Sequence, residues 1–191
     1  MPVAPLPVLA FRNLLALVGT LERVLVVLLV LNIIGNIGAQ VFSRYVLGEP
    51  LIWVEELATY SFIWTTFLGA SLGLKYERHV SIQTFVARLP VVPRALLRLL
   101  VLGVMLALAL VLMRECWTVM GIESRRTSIS LPIELPVSLF FSVPLFVGLA
   151  SMALTLLYQV GAQLGIALGT RPWPPIFAAR PDEGPGHHDE V

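Results

Sequence analysis

The sequence predicts an all-α integral membrane protein: four transmembrane helices, with short interfacial helices beside them. Three observations carry this. Hydrophobic residues make up 57% of the 191 and charged residues 13%, about half the charge of a soluble globule. The mean hydropathy is +0.86. The few charges also separate four apolar stretches near the roughly 20 residues that a hydrocarbon core demands, the third having 15 uncharged residues before Arg114 and Glu115 and continuing through Trp117. The same figures exclude other classes. A net charge of +1 leaves no electrostatic footprint for nucleic acid. The single Cys116 excludes an intramolecular disulfide and a multi-cysteine metal centre.

The membrane domain is expected over residues 24–160, with spans at about 24–43, 54–74, 96–118 and 135–160. Glu22, Arg23 and Arg44 bound the first span; Glu55, Glu56 and Lys75 bound the second. Arg98 precedes the third, and Arg114 and Glu115 lie near its far end. Pro144 falls inside the fourth, where a missing donor predicts a kink that serves packing or gating. Residues 1–23 form an N-terminal segment whose apolar stretch 14–21 lies at the interface or extends the first helix. Residues 161–191 are Pro-rich and expected to be disordered. The run 81–89 has helical apolar spacing (Ile82, Phe85, Val86, Leu89) and predicts a short helix in the interface. Trp53 and Trp117 should mark one membrane boundary, Tyr76 and Trp173 the other.

Orientation follows from the basic residues of the short connections. Arg12, Arg23, Lys75, Arg78, Arg88, Arg94, Arg98, Arg171 and Arg180 share one side, against Arg44, Arg114, Arg125 and Arg126 on the other. The positive-inside rule then places both termini in the cytoplasm.

Polar residues within the spans are few. Asn32, Asn36 and Gln40 recur every four residues on one face of the first span, beside the small residues Gly35 and Ala39. Two readings compete, a polar packing seam and part of a ligand path; amides without a carboxylate favour the seam. Thr66, Gly69, Ala70 and Gly73 give the second span a small-residue face that permits close helix approach, within the bundle or with another subunit. His79, His187 and His188 lie outside the spans, where they cannot ligate a haem between helices. Every Glu sits at or beyond a span end, away from the depth at which a proton-coupled carrier needs a carboxylate. No nucleophile–base pair is apparent. The residues describe a scaffold and no enzyme.

One series narrows the field further. Gln40-Val41-Phe42-Ser43-Arg44-Tyr45 closes the first span, followed by Trp53-Val54-Glu55-Glu56, Phe67-Leu68-Gly69-Ala70, His79-Val80-Ser81-Ile82, Leu89-Pro90 and Leu131-Pro132, with Pro144 and Gly148 beyond. Over about residues 20–160 this order resembles the small membrane subunit, DctQ-like, of tripartite ATP-independent periplasmic (TRAP) transporters. The resemblance implies a multi-pass protein of a bacterial or archaeal inner membrane. It implies two protein partners, a larger membrane subunit that carries the substrate and Na+ sites and a periplasmic substrate-binding protein, with membrane lipids around them. No cofactor is expected on this chain. The implied role is that of a scaffold or stator in sodium-coupled uptake of an organic acid; the alternative is a self-sufficient small transporter or channel. Arg44, Trp53, Glu55 and Glu56 match the family's most recognisable segment. With Asn32, Asn36, Gln40, Gly69 and Ala70 they form the expected packing or partner interface. Arg44 beside two glutamates could equally fix the angle between the first two helices.

Overall fold

In a computed structural model, the described residues are 6–49, 51–76, 91–127, 135–167 and 173–177. They form four helices, α1 (Leu6–Phe42), α2 (Ile52–Lys75), α3 (Val91–Glu123) and α4 (Ser142–Ala167). Each contains a stretch long and apolar enough to cross a membrane. Among the described residues there is no strand, only an isolated bridge between Thr127 and Pro136. The expected helix at 81–89 lies outside the described residues, as do the His79–Ile82, Leu89-Pro90 and Leu131-Pro132 motifs.

Two antiparallel hairpins make the bundle. α1 packs on α2 and α3 on α4, while α2 and α4 join the hairpins as the inner pair. The outer helices are correspondingly bare. Only 6% of the most apolar stretch of α3 is buried, and Leu100, Val104, Leu108 and Val111 stand exposed along it, as lipid-facing side chains should. The core between hairpins is Leu74, Ala109, Leu149, Ala153 and Leu156, with Met105, Met113 and Met152 filling in around it.

Local chemistry sets the ends. α1 passes into one π-helical turn, Ser43–Leu47, and stops at Gly48, whose φ of 75° is the left-handed conformation that glycine adopts without strain. The Ser43 hydroxyl donates to the Glu49 carbonyl at 2.5 Å and braces that turn. α2 then carries Glu55 in its first turn and Lys75 in its last, each sign matched to the helix dipole.

At the start of α1 one of the two expected readings holds, since the stretch 14–21 extends the first helix; the helices depart from the expected spans at Pro144 and at the far end of α4. α1 begins at Leu6 and runs 37 residues, about 55 Å, because nothing between Val8 and Val24 stops it and its early turns find partners. Val8 and Leu15 pack with Tyr158 and Ile176 in a second cluster. α4 starts at Ser142, so Pro144 occupies its first turn. There a backbone N–H has no intrahelical acceptor to lose, and the expected kink has no cause. α4 also continues past residue 160 to Ala167, and residues 173–177 pack back on the bundle.

The tightest helix approach lies elsewhere than the small-residue face of α2. A Cβ added at Gly148 of α4 would sit 2.9 Å from Phe67 Cβ and 3.0 Å from the Phe67 carbonyl oxygen. At Gly69 and Gly73 an added Cβ would meet nothing within 4 Å. Within this chain α2 does not use that face for close packing.

Candidate functional site

A polar ladder runs down the α1–α2 hairpin. At one end Gln40 donates to Glu55 at 3.2 Å. Further along, Asn32 donates to Ser61 at 2.8 Å, and Ser61 passes its own proton to the Leu57 carbonyl. Asn36 turns back on its own helix and bonds the carbonyl and side-chain oxygens of Asn32. Each step toward the start of α1 is answered by a similar step toward the end of α2, as antiparallel helices require. Two of the three amides thus reach across to α2.

The ladder ends in a charge cluster. Glu22 and Lys75 form an ion pair at 2.5 Å, with relative exposures of 5% and 1%. The Lys75 ammonium also donates to Ser71 at 3.2 Å and to Ser151 of α4 at 2.6 Å. Both serines return a hydrogen bond to the Glu22 carboxylate, Ser151 at 2.5 Å and Ser71 at 3.2 Å. All three ammonium donors are used, the charges cancel, and three helices meet in one closed network. An isolated charge would not persist there; a compensated pair can. About 20 residues, or about 30 Å of helix, separate Glu22 from the end of α1 at Phe42. The cluster therefore sits one hydrocarbon thickness from the Gln40–Glu55 end, at the margin where the sequence placed these charges. What the sequence missed is that they turn inward onto one another. The signal was available: opposite charges close the same end of a hairpin, with Ser71 one turn before Lys75.

The opposite end departs from expectation. Among the described residues Arg44 makes no ion pair with Glu55 or Glu56, and Glu22–Lys75 is the only ion pair. Arg44 is exposed. Glu56 accepts from the Tyr60 hydroxyl one turn on, and Glu55 is held by Gln40. At this end the amide of Gln40 links α1 to α2, and Arg44 is left exposed. Trp53, 41% exposed, and Ala70 also face away from the bundle. Between the helices lies a half-open cavity of about 290 Å³, lined by Asn36, Ile37, Gln40, Val41, Val54, Glu55 and Ala58. Gln40 Oε1 is buried beside it with no hydrogen-bond partner among the described residues. Since a carboxylate only accepts, the Gln40 amino group must face Glu55, and this forces its oxygen the other way.

A bundle of four helices, each long and apolar enough to cross a bilayer, defines a multi-pass membrane protein. The family model for the DctQ component of tripartite ATP-independent periplasmic transporters matches residues 33–164, more than half of the chain. The chain belongs to this family of TRAP small permease proteins. It is 28% identical over 74 residues to the sialic acid TRAP transporter small permease protein SiaQ of Vibrio cholerae, covering 39% of this chain and 43% of the relative. To the C4-dicarboxylate TRAP transporter small permease protein DctQ of the same organism it is 28% identical over 79 residues, 41% of this chain and 34% of the relative. It is 37% identical over 73 residues to the sialic acid TRAP transporter permease protein SiaT of Haemophilus influenzae, 38% of this chain but only 12% of that protein. The matched segments thus span less than half of each relative's length.

Proposed function

We propose that this chain is the scaffold, or stator, of a TRAP transporter in the inner membrane, with both termini cytoplasmic. It braces a larger membrane subunit that moves an organic acid with Na+, delivered by a periplasmic binding protein. Membrane lipids cover the remaining face. One observation carries the reading. Among the described residues, the only buried charges, Glu22 and Lys75, are used up in holding three helices together. Among the described residues no other acidic or basic side chain is buried in the bundle to bind a coupling ion or a substrate, which favours leaving vectorial work to another chain. Two relatives of equal identity carry different cargo names, sialic acid and C4-dicarboxylate, which fits a subunit that does not select the substrate. In the SiaT relative the matched segment is a small part of a much longer permease protein. That supports contact between such a bundle and a larger one.

We place the partner contact on the outward groups of the first hairpin: Arg44, Trp53, Glu55, Gly69 and Ala70, with Glu56 near them. Gly69 leaves room for a neighbouring backbone. Asn32, Asn36 and Gln40 hold the hairpin behind them.

The deciding experiment is reconstitution. Proteoliposomes holding this chain alone should show no solute flux, and those holding the chain, the large subunit and the binding protein should show Na+-dependent uptake. Cation-dependent flux by the chain alone would replace this reading with that of a self-sufficient transporter. For the contact, the pair Glu55→Gln and Glu56→Gln removes both charges yet keeps acceptors for Gln40 and Tyr60. Membrane insertion should be unchanged, while the large subunit recovered by pull-down falls by about ten-fold, the loss of one interfacial charge contact. Unchanged recovery and uptake would remove these carboxylates from the interface.

A further inference from the structure

Residues 173–177 lie against α1 and α4 in a way that the scaffold reading does not use. The Tyr158 hydroxyl donates to the Pro174 carbonyl at 2.6 Å, and among the described residues this is the segment's only hydrogen bond. Among the described residues the rest of its hold is side-chain fit. Gly161 of α4 is a notch for Trp173: a Cβ added there would lie 2.7 Å from the indole Cη2. Gly19 of α1 is a notch for Phe177, with an added Cβ 2.7 Å from the ring Cζ and 3.1 Å from Lys75 Cδ. The Phe177 ring and the Lys75 stem therefore meet over the same glycine.

The neighbours of the ion pair complete the clasp. Tyr76, next after Lys75, stacks on Phe177 with centroids 4.7 Å apart and planes at 17°. Arg23, next after Glu22, lies 5.3 Å from the Tyr76 ring and 5.4 Å from the Phe177 ring, within cation–π range. Ile176 is buried, and Trp173 packs on Tyr158 at 5.2 Å. Both charged members of the network are thus followed in sequence by a residue that grips the same phenyl ring.

We infer that residues 173–177 are a lid over the Glu22–Lys75 pair, seated by the Gly19 and Gly161 notches, and that seating or lifting it controls whether water reaches the pair. With the lid seated, the pair and its serines are dry and the hairpin α1–α2 is fixed on α4. With it lifted, the ions gain water as an alternative partner, and the junction between hairpins loosens. A segment that makes one hydrogen bond among the described residues, with side-chain contacts for the rest, belongs to the parts of a structure that open first.

Lys75 is the only lysine in the sequence, which supplies a direct readout. The full-length chain, purified in detergent, is treated with a water-soluble amine-acylating reagent and followed by mass spectrometry, with the α-amine as internal standard. Lys75 should be acylated at least about ten-fold more slowly in the folded parent chain than in the same chain unfolded in denaturant, the mark of a group reached only by local opening. Combining Trp173→Ala with Phe177→Ala should raise the Lys75 rate about ten-fold while helical circular dichroism is retained. Gly161→Ala fills the Trp173 notch without approaching Lys75 and should act in the same direction; it decides the matter if the double variant does not fold. Trp117→Ala, removing an exposed aromatic of α3, should leave the rate as in the parent. The inference is overturned if Lys75 of the folded parent reacts as fast as Lys75 of the unfolded chain, if lid variants that fold leave its rate unchanged, or if Trp117→Ala raises it equally. None of these results depends on transport or on the large subunit, so the lid can fail while the scaffold reading stands.

Discussion

Lys75→Met should lower the stability of the purified chain more than any other single substitution in the bundle, by about 3–5 kcal/mol. It leaves the Glu22 carboxylate buried, facing two serines and no cation. Glu22→Met should have an effect of similar size, stranding the ammonium that now uses all three donors. The pair together, Glu22→Met with Lys75→Met, should recover most of the loss, since replacing a whole buried ion pair by apolar side chains is often neutral. The coupling between the sites, read from thermal unfolding of the four proteins in one detergent, should amount to several kcal/mol and be opposite in sign to the single effects. If each single variant unfolds at the parent's temperature, the cluster does not hold the helices together.

Gly148→Ala is the second large effect expected. Its Cβ would enter within 3.0 Å of a backbone oxygen and within 2.9 Å of Phe67 Cβ. A backbone atom cannot rotate out of the way as a flexible side chain can, so α2 and α4 must part. Overpacking of this kind costs about 1–3 kcal/mol. Gly103→Ala on α3, where an added Cβ meets nothing within 4 Å, serves as the control and should be neutral or slightly stabilising, by up to about 1 kcal/mol from helix propensity. Equal midpoints for the two alanine variants would mean that the α2–α4 seam has slack at Phe67.

How legible the molecule was in its sequence can be judged element by element. The four helices were readable because charge is so unfavourable in hydrocarbon that it delimits the spans. The seam of Asn32, Asn36 and Gln40 was readable because every fourth residue shares a face, and two of the three do reach α2. Partner choice was not readable. Arg44 is near Glu55 in the chain, yet Gln40 takes Glu55, because helix pairing sets side-chain direction and sequence distance does not. Glu22 and Lys75 were visible as charges at a span end, but Arg23 stood beside Glu22, and only the helical phase decides which of the two turns inward. Pro144 suggested a kink for want of an accurate start to α4; moved into the first turn, the same residue is harmless. In the tail, composition argued for disorder, and the packing of Trp173, Ile176 and Phe177 on the bundle was not readable, because it depends on which helix faces meet them.

The positions of the cluster's members along the chain also imply a timetable. Glu22 and Lys75 belong to the first two helices and can find each other before α3 has been synthesised. Ser151, 76 residues beyond Lys75, arrives only with the last helix. During synthesis the earlier pair can neutralise itself and enter the lipid as a finished hairpin, and the later hairpin then docks on a surface that is already formed.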